Sequence, residues 1–329
     1  DVGQRFSGSV NYSIPWINSN FLDFARHPTS LSLSLSSNAV GNNSLYIKGR
    51  DGLPTSVDTG RQYTVRSTGF NVAAARALEP NLMASAGISV SSSKYYLEPY
   101  KAGDSLSTTP ANRATYQDDT AATVQLPLGA TTVMPKLGLQ YDTTDSVLAP
   151  SFGVRAQATL GYGVGRQSDG VSLSWGQVEA GSSTYYGFGR TLDDGSKQEV
   201  IAGRVNAGTI VGTGGESNVF TVGTNVFDPA YEIRGQSSTL HGTSYLTSSA
   251  ELRHNFGVKL GDYVSGVYGL AFVDAGDAWT SNNGDNPFGL KVAYGVGAQV
   301  NTSLLNVQLT YGQSSSGNGR FALRLGRFW

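Results

Sequence analysis

The chain has 329 residues, of which 42 are Gly, none is Cys and only 14% are charged, against roughly 25% charged in an average soluble domain. Mean hydropathy is −0.20 and no stretch approaches the ~18 uninterrupted apolar residues of a membrane helix, so a helical membrane protein is excluded. The absence of Cys removes disulfide frameworks and thiolate metal sites, and a net charge of −1 gives no electrostatic argument for nucleic acid.

Few charges combined with unremarkable hydropathy fit a β-barrel in a bilayer, where only alternate residues face lipid and the others stay small or polar toward the lumen. The chain opens DVGQRFSGSV, without a basic and then apolar lead, and reads as a mature, processed chain. Residues 1–28 form an N-terminal segment in which 5–14 (RFSGSVNYSI) reads either as a further strand or as a tail in the lumen. Residues 29–329 read as the barrel. Weakly patterned strand segments come first, at 29–40, 61–78 and 81–97.

Period-two alternation is strongest further on. Val133, Pro135, Leu137, Leu139 and Tyr141 oppose Met134, Lys136, Gly138, Gln140 and Asp142. Val154, Ala156, Ala158, Leu160 and Tyr162 oppose Arg155, Gln157, Thr159 and Gly161. Weaker segments follow at 171–185, 197–212, 244–257 and 263–278. Leu290, Val292, Tyr294, Val296, Ala298 and Val300 then oppose Lys291, Ala293, Gly295, Gly297, Gln299 and Asn301. Leu305, Val307, Leu309 and Tyr311 oppose Asn306, Gln308, Thr310 and Gly312, and 319–329 closes the chain. The fold class is therefore all-β, a transmembrane antiparallel up-and-down barrel of about 12 strands, or about 14 as the alternative, since such barrels usually have an even number.

Two connections are long, at about 92–119 and at 211–243. Connections beyond about 12–15 residues are usually functional or disordered. The second carries Val219, Phe220, Val226, Phe227 and Tyr231, too apolar for a solvated tail, and is expected to fold into the lumen as a long extracellular loop.

Several short motifs in order carry a resemblance. Ile233-Arg234-Gly235-Gln236 resembles the Val/Ile-Arg-Gly-aromatic tip of the sixth extracellular loop in the BamA and two-partner-secretion transporter superfamily, and five strands follow it, as in that family. Phe272-Val273-Asp274-Ala275-Gly276 is similar to the family's Phe-x-Asp-x-Gly element. Tyr141-Asp142-Thr143-Thr144-Asp145 with Pro150 and Gly153 resembles one of its turns, and His27-Pro28-Thr29-Ser30 is a fainter copy. Phe321, Leu323, Leu325, Gly326 and Trp329 have the spacing of the terminal assembly signal, which would lie at the barrel seam. The sequence departs from the family at Gln236, where an aromatic residue is usual, and in lacking the periplasmic receiving modules, so the reading is of a barrel-only member.

The resemblance implies that Arg234 enters the lumen and pairs with Asp274 on the wall, near Phe272 and Gly276, with Glu251 the next acceptor. This requires Val267, Gly269, Ala271 and Val273 to face lipid, while the opposite phase would put Asp274 outside. Asp142 and Asp145 read as turn residues bonding local amides rather than as an acid/base pair. His27, His241 and His254 have no metal-ligand spacing, and Ser is too abundant to mark a nucleophile; no catalytic or metal residue and no cofactor is assigned. Gly317 and Gly319 would loosen pairing near the last strand. Trp16, Tyr95, Tyr96, Tyr185, Tyr186, Trp279 and Trp329 read as interface girdle residues.

These readings point to the bacterial outer membrane and to a role in membrane-protein insertion or translocation through the seam or lumen. The alternatives are a passive plugged channel and a structural, lipid-perturbing or oligomeric barrel. The expected partners are outer-membrane lipid, the assembly machinery that inserts the barrel, and a secreted or membrane-inserted protein substrate, with a second copy of the chain as a further candidate.

Overall fold

The computed structural model describes residues 5–14, 29–48, 56–97, 128–146, 149–193, 195–213, 219–223, 229–236, 240–258, 263–280, 289–302, 306–315, 317 and 319–325. The strands are β1 (Arg5–Ile14), β2 (Thr29–Lys48), β3 (Ser56–Glu79), β4 (Leu82–Leu97), β5 (Ala130–Asp142), β6 (Phe152–Gln167), β7 (Ser172–Thr191) and β8 (Lys197–Thr213). The long loop adds β9 (Phe220–Val222), a 3-10 turn at Pro229–Tyr231 and β10 (Leu240–Gly242). The final five strands are β11 (Ser244–Asn255), β12 (Val264–Trp279), β13 (Lys291–Thr302), β14 (Asn306–Ser314) and β15 (Gly319–Leu325).

Among the described residues, all strands except β9 and β10 form one antiparallel sheet of 13 strands in the order β1 to β8, then β11 to β15. This count falls between the expected 12 and 14 because the segment 5–14 is a strand, paired with β2 from Arg5↔Val40 to Ile14↔Leu31. Sequential antiparallel neighbours make this an up-and-down barrel. Among the described residues no ladder joins β1 to β15, the two strands that flank the seam.

The sheet is apolar outside and polar inside, the reverse of a soluble protein. Leu137, Leu139, Leu160, Tyr162, Tyr294, Val296, Leu309 and Tyr311 are all exposed, Leu137 by 60%. On the opposite faces Met134, Gln299, Asn301, Asn306, Gln308 and Thr310 are buried. Such a surface suits lipid, because water would have to hydrate a continuous apolar band.

The β3–β4 turn at 80–81 and the β7–β8 turn lie at one end of the sheet, and β4 and β8 finish at the other, the end from which the loop carrying β9 and β10 departs. In the β5–β6 turn, Asp142 Oδ1 accepts from the Thr144 amide at 2.9 Å and Arg155 Nε donates to Asp142 Oδ2 at 2.8 Å. Asp145 Oδ1 accepts from the amides of Ser151 and Phe152 at 2.8 and 3.1 Å. The Thr144 and Ser151 hydroxyls donate to them as well, so both carboxylates are spent on the turn's own backbone and hydroxyls and on one arginine, which is turn chemistry.

Two readings of single residues change. Tyr185 and Tyr186 are adjacent in a strand and so face opposite sides; Tyr186 is exposed, whereas Tyr185 is buried in the lumen with the Arg253 guanidinium 5.9 Å from its ring. Gly317, at φ +90°, belongs to the β14–β15 turn, where its amide donates to Ser314 O at 2.9 Å. Trp16, His27 and Trp329 lie outside the described residues.

Candidate functional site

The site begins with a register. On the inner face of β11 and β12, Ser249 lies opposite Asp274 and Glu251 opposite Phe272. Asp274 and Glu251 are therefore diagonal neighbours across the pair, with room for one planar cation between them. β12 takes the phase that points Asp274 inward: Leu270, Phe272 and Asp274 are buried, and Val273 is exposed. Phe272 can face the lumen here because the Arg234 guanidinium of the loop tip covers its ring.

The loop tip delivers the cation. Arg234 Nε donates to Asp274 Oδ2 at 2.7 Å and Nη2 to Asp274 Oδ1 at 2.7 Å, a bidentate fork. Nη1 donates to Glu251 Oε2, and Nη2 also donates to Ser249 Oγ at 2.8 Å. The Arg234 amide adds a third bond to Asp274 Oδ2 at 2.9 Å. The guanidinium stacks 3.6 Å from the centre of the Phe272 ring, and Arg253 Nε holds the other Glu251 oxygen at 2.6 Å. Arg234 and Asp274 are 2% and 0% exposed as side chains. Burial alone would loosen Arg234's proton; Glu251 and Asp274 outweigh it and raise its pKa above the ordinary arginine value.

A second register explains how the loop backbone comes so close. Phe272 lies opposite Gly295 on β13, and Gly295 opposite Gly312 on β14. This row of glycines forms a trough. A Cβ on Gly295 would lie 2.6 Å from the Phe272 ring, and one on Gly312 would lie 2.9 Å from the backbone of Arg234 and Gly235. Gly235 itself has φ +86°, and a Cβ there would sit 2.4 Å from the Gly312 carbonyl carbon. Both conformation and space therefore demand glycine at the tip. Gly276 makes the same allowance for Ile233, whose Cδ1 would lie 3.0 Å from an added Cβ.

Around the tip the loop has its own small core. Phe220, Val222, Ile233, Tyr245 and Ala293 are buried together, with Tyr231 packed against them. Ladder β9–β10 supports them, Tyr231 donates to Glu179 Oε2 on β7, and Thr247 Oγ1 donates to Ala230 O at 2.6 Å. Val226 and Phe227 lie outside the described residues. Gln236 is buried despite its polarity, and its amide closes the tip turn onto Ile233 O at 3.2 Å.

The structure thus brings together Ile233, Arg234, Gly235, Gln236, Glu251, Phe272, Asp274 and Gly276. It keeps Phe321 and Leu323 apart from them, exposed on the outer face of β15, with Phe321 packed on Tyr311 at 4.8 Å between ring centres. Leu325 pairs with Val307 in the ladder, and Gly326 and Trp329 lie outside the described residues. Sequence reading missed Ser249, Gly295 and Gly312. Alternation marked the two glycines as inward-facing, and only the register shows that they align. His241 Nδ1 lies 3.1 Å from Thr221 Oγ1, and His254 Nδ1 lies 2.6 Å from Glu199 Oε1.

Fold and site define a transmembrane β-barrel whose long loop is pinned to the inner wall by a buried arginine. Residues 2–329 match the model of the Omp85 superfamily domain, and the chain belongs to that superfamily, whose BamA and CdiB barrels are bacterial outer-membrane proteins. Comparison with curated proteins finds no match. Among solved structures, BamA from Haemophilus ducreyi lacking POTRA domains 1–3 is similar over 98% of this chain and 62% of that one, with TM-score 0.62 and 12% identity. CdiB from Escherichia coli is similar over 98% of this chain and 52% of its own, with TM-score 0.59 and 11% identity. CdiB from Acinetobacter baumannii gives 98% and 50%, with TM-score 0.55 and 11% identity. At these identities the likeness is one of fold, and the chain spans less than two thirds of each relative.

Proposed function

We propose that this chain is an outer-membrane barrel that assists the insertion or translocation of other proteins, using the seam between β1 and β15 with the lumen closed by the seated loop. The observation that carries the reading is the buried Arg234 fork on Asp274 and Glu251, set in a chain that matches the superfamily along almost its whole length. A seam offers backbone donors and acceptors to an incoming strand, which can add by β-augmentation. The partners are the bilayer, the machinery that inserts the barrel itself, and a client polypeptide. No cofactor or catalytic residue is needed for such work.

The test is the folding rate of a urea-unfolded outer-membrane protein into liposomes carrying this barrel, against empty liposomes and against Arg234→Ala. Acceleration that the variant loses supports the reading; no acceleration by a folded barrel removes autonomous insertion. A second reading, a plugged channel, draws on the buried loop core around Phe220, Val222 and Ile233. Deleting 213–240 and recording conductance tests it: a large steady conductance is expected of a plug.

A further inference from the structure

The loop carries a second buried charge that the Arg234 site does not use. Glu232 pairs with Arg324 of β15, and both side chains are 4% exposed. Arg324 Nη1 also donates to Gln308 Oε1 at 3.0 Å, its register partner on β14. The row of bonds continues inward, with Gln308 Nε2 donating to Gln299 Oε1 at 3.1 Å and Gln299 Nε2 to Asn301 Oδ1 at 2.7 Å.

The two halves of this ion pair have unequal support. Glu232 bridges Gly223, the Ile233 amide donates to Gly223 O at 2.9 Å, and the next amide is held by Asp274. Its carboxylate is therefore presented from a rigid tip. Arg324 stands on a strand whose only neighbour in the sheet, among the described residues, is β14. The Arg234 fork fastens the loop to β11 and β12, strands paired on both sides, whereas Glu232 reaches past them to the sheet's edge.

We infer that Glu232 and Arg324 are positioning residues that couple seating of the loop tip to placement of the terminal strand β15. Two charges this buried are tolerated because each neutralises the other. Withdrawing the loop leaves Arg324 without its carboxylate, and displacing β15 leaves Glu232 without its guanidinium. Coupling of this kind is reciprocal: whatever moves the strand loosens the loop, and the converse holds with equal strength. Its use rests on the proposed role of the seam, because a strand that must admit a client needs a hold that can be released.

The test is amide hydrogen exchange on the folded barrel in lipid nanodiscs, for the parent, Glu232→Gln, Arg324→Lys and the exchanged pair Glu232→Arg with Arg324→Glu. Glu232→Gln is expected to speed exchange in 319–325 about tenfold or more while β3–β6 change less than about twofold. Arg324→Lys keeps the charge and is expected to fall between, and the exchanged pair to return toward the parent. Unchanged exchange in β15, equal acceleration in every strand, or an exchanged pair as fast as Glu232→Gln would each overturn the inference. The readout needs no client, so it separates the two proposals. Coupling in a barrel that fails the liposome assay would leave this inference standing and remove the functional reading; acceleration of folding without coupling would do the reverse.

Discussion

Replacing Arg234 by Ala should unseat the loop, and the structure sets the scale. The substitution removes the fork to Asp274 and the contacts to Glu251 and Ser249. Glu251 keeps Arg253 at 2.6 Å, and Asp274 keeps the 234 amide at 2.9 Å and Ser249 Oγ at 2.6 Å, with buried Arg204 of β8 close enough to act on it electrostatically. Removing one partner of a buried ion pair costs about 3–5 kcal/mol, and the surviving Arg253 argues for the lower end, about 3 kcal/mol. At about 1.4 kcal/mol per factor of ten, the ratio of seated to unseated loop should fall about a hundredfold. The chain has no Cys, so Ile233→Cys supplies a single reporter at a buried position. A water-soluble maleimide should label it about a hundredfold faster when Arg234→Ala is added. Adding Asp274→Ala as well removes the orphaned carboxylate and should slow labelling again. A rise of less than about threefold in a folded barrel would mean that the ion pair contributes almost nothing to seating.

Other variants, each read with the same thiol reporter at position 233 unless stated, probe the glycine trough, the β7 contact and the lipid face. Gly312→Ala puts a Cβ 2.9 Å from loop backbone, a clash that lifting the loop relieves; overpacking of this kind costs about 1–3 kcal/mol, and labelling of the reporter should rise about tenfold. Tyr231→Phe removes one donor from Glu179, which retains Gln177 at 2.6 Å and Tyr245 at 3.2 Å; a loss of about 1 kcal/mol should give about fivefold faster labelling, and no change would show that β7 does not hold the loop. Val296→Lys places a charge on the exposed outer face and should destabilise the barrel in bilayers by about 2–4 kcal/mol, measured by urea titration of folding into liposomes; a neutral result would contradict the assigned lipid face.

Where one face was apolar and the other polar, the sequence could be read directly. In β5, β6, β13 and β14 the alternation alone gave the outward residues. In β12 it did not, because Leu270 and Phe272 on one face compete with Val267 and Val273 on the other; the buried loop decides the matter by giving the lumen its own apolar surface. Adjacent Tyr185 and Tyr186 misled for a related reason, since a strand cannot send both to the interface. The loop tip was legible through the resemblance of 233–236, and Asp274 through that of 272–276. The glycine trough at 295 and 312, Ser249 beside Asp274, and the reach of Glu232 to Arg324 depend on register across several strands, which no single strand encodes.

A client polypeptide that engages the barrel at its seam can be located directly. A photoreactive amino acid would be placed at Leu323 on β15 and, separately, at Leu160 on β6, two exposed outer-face positions, one beside the seam and one deep in the sheet. Irradiation during folding of a urea-unfolded outer-membrane protein into these liposomes is expected to cross-link the client at 323 and not at 160. Equal cross-linking at both positions, or none at 323 in a barrel that speeds folding, would show that the client does not enter at the seam.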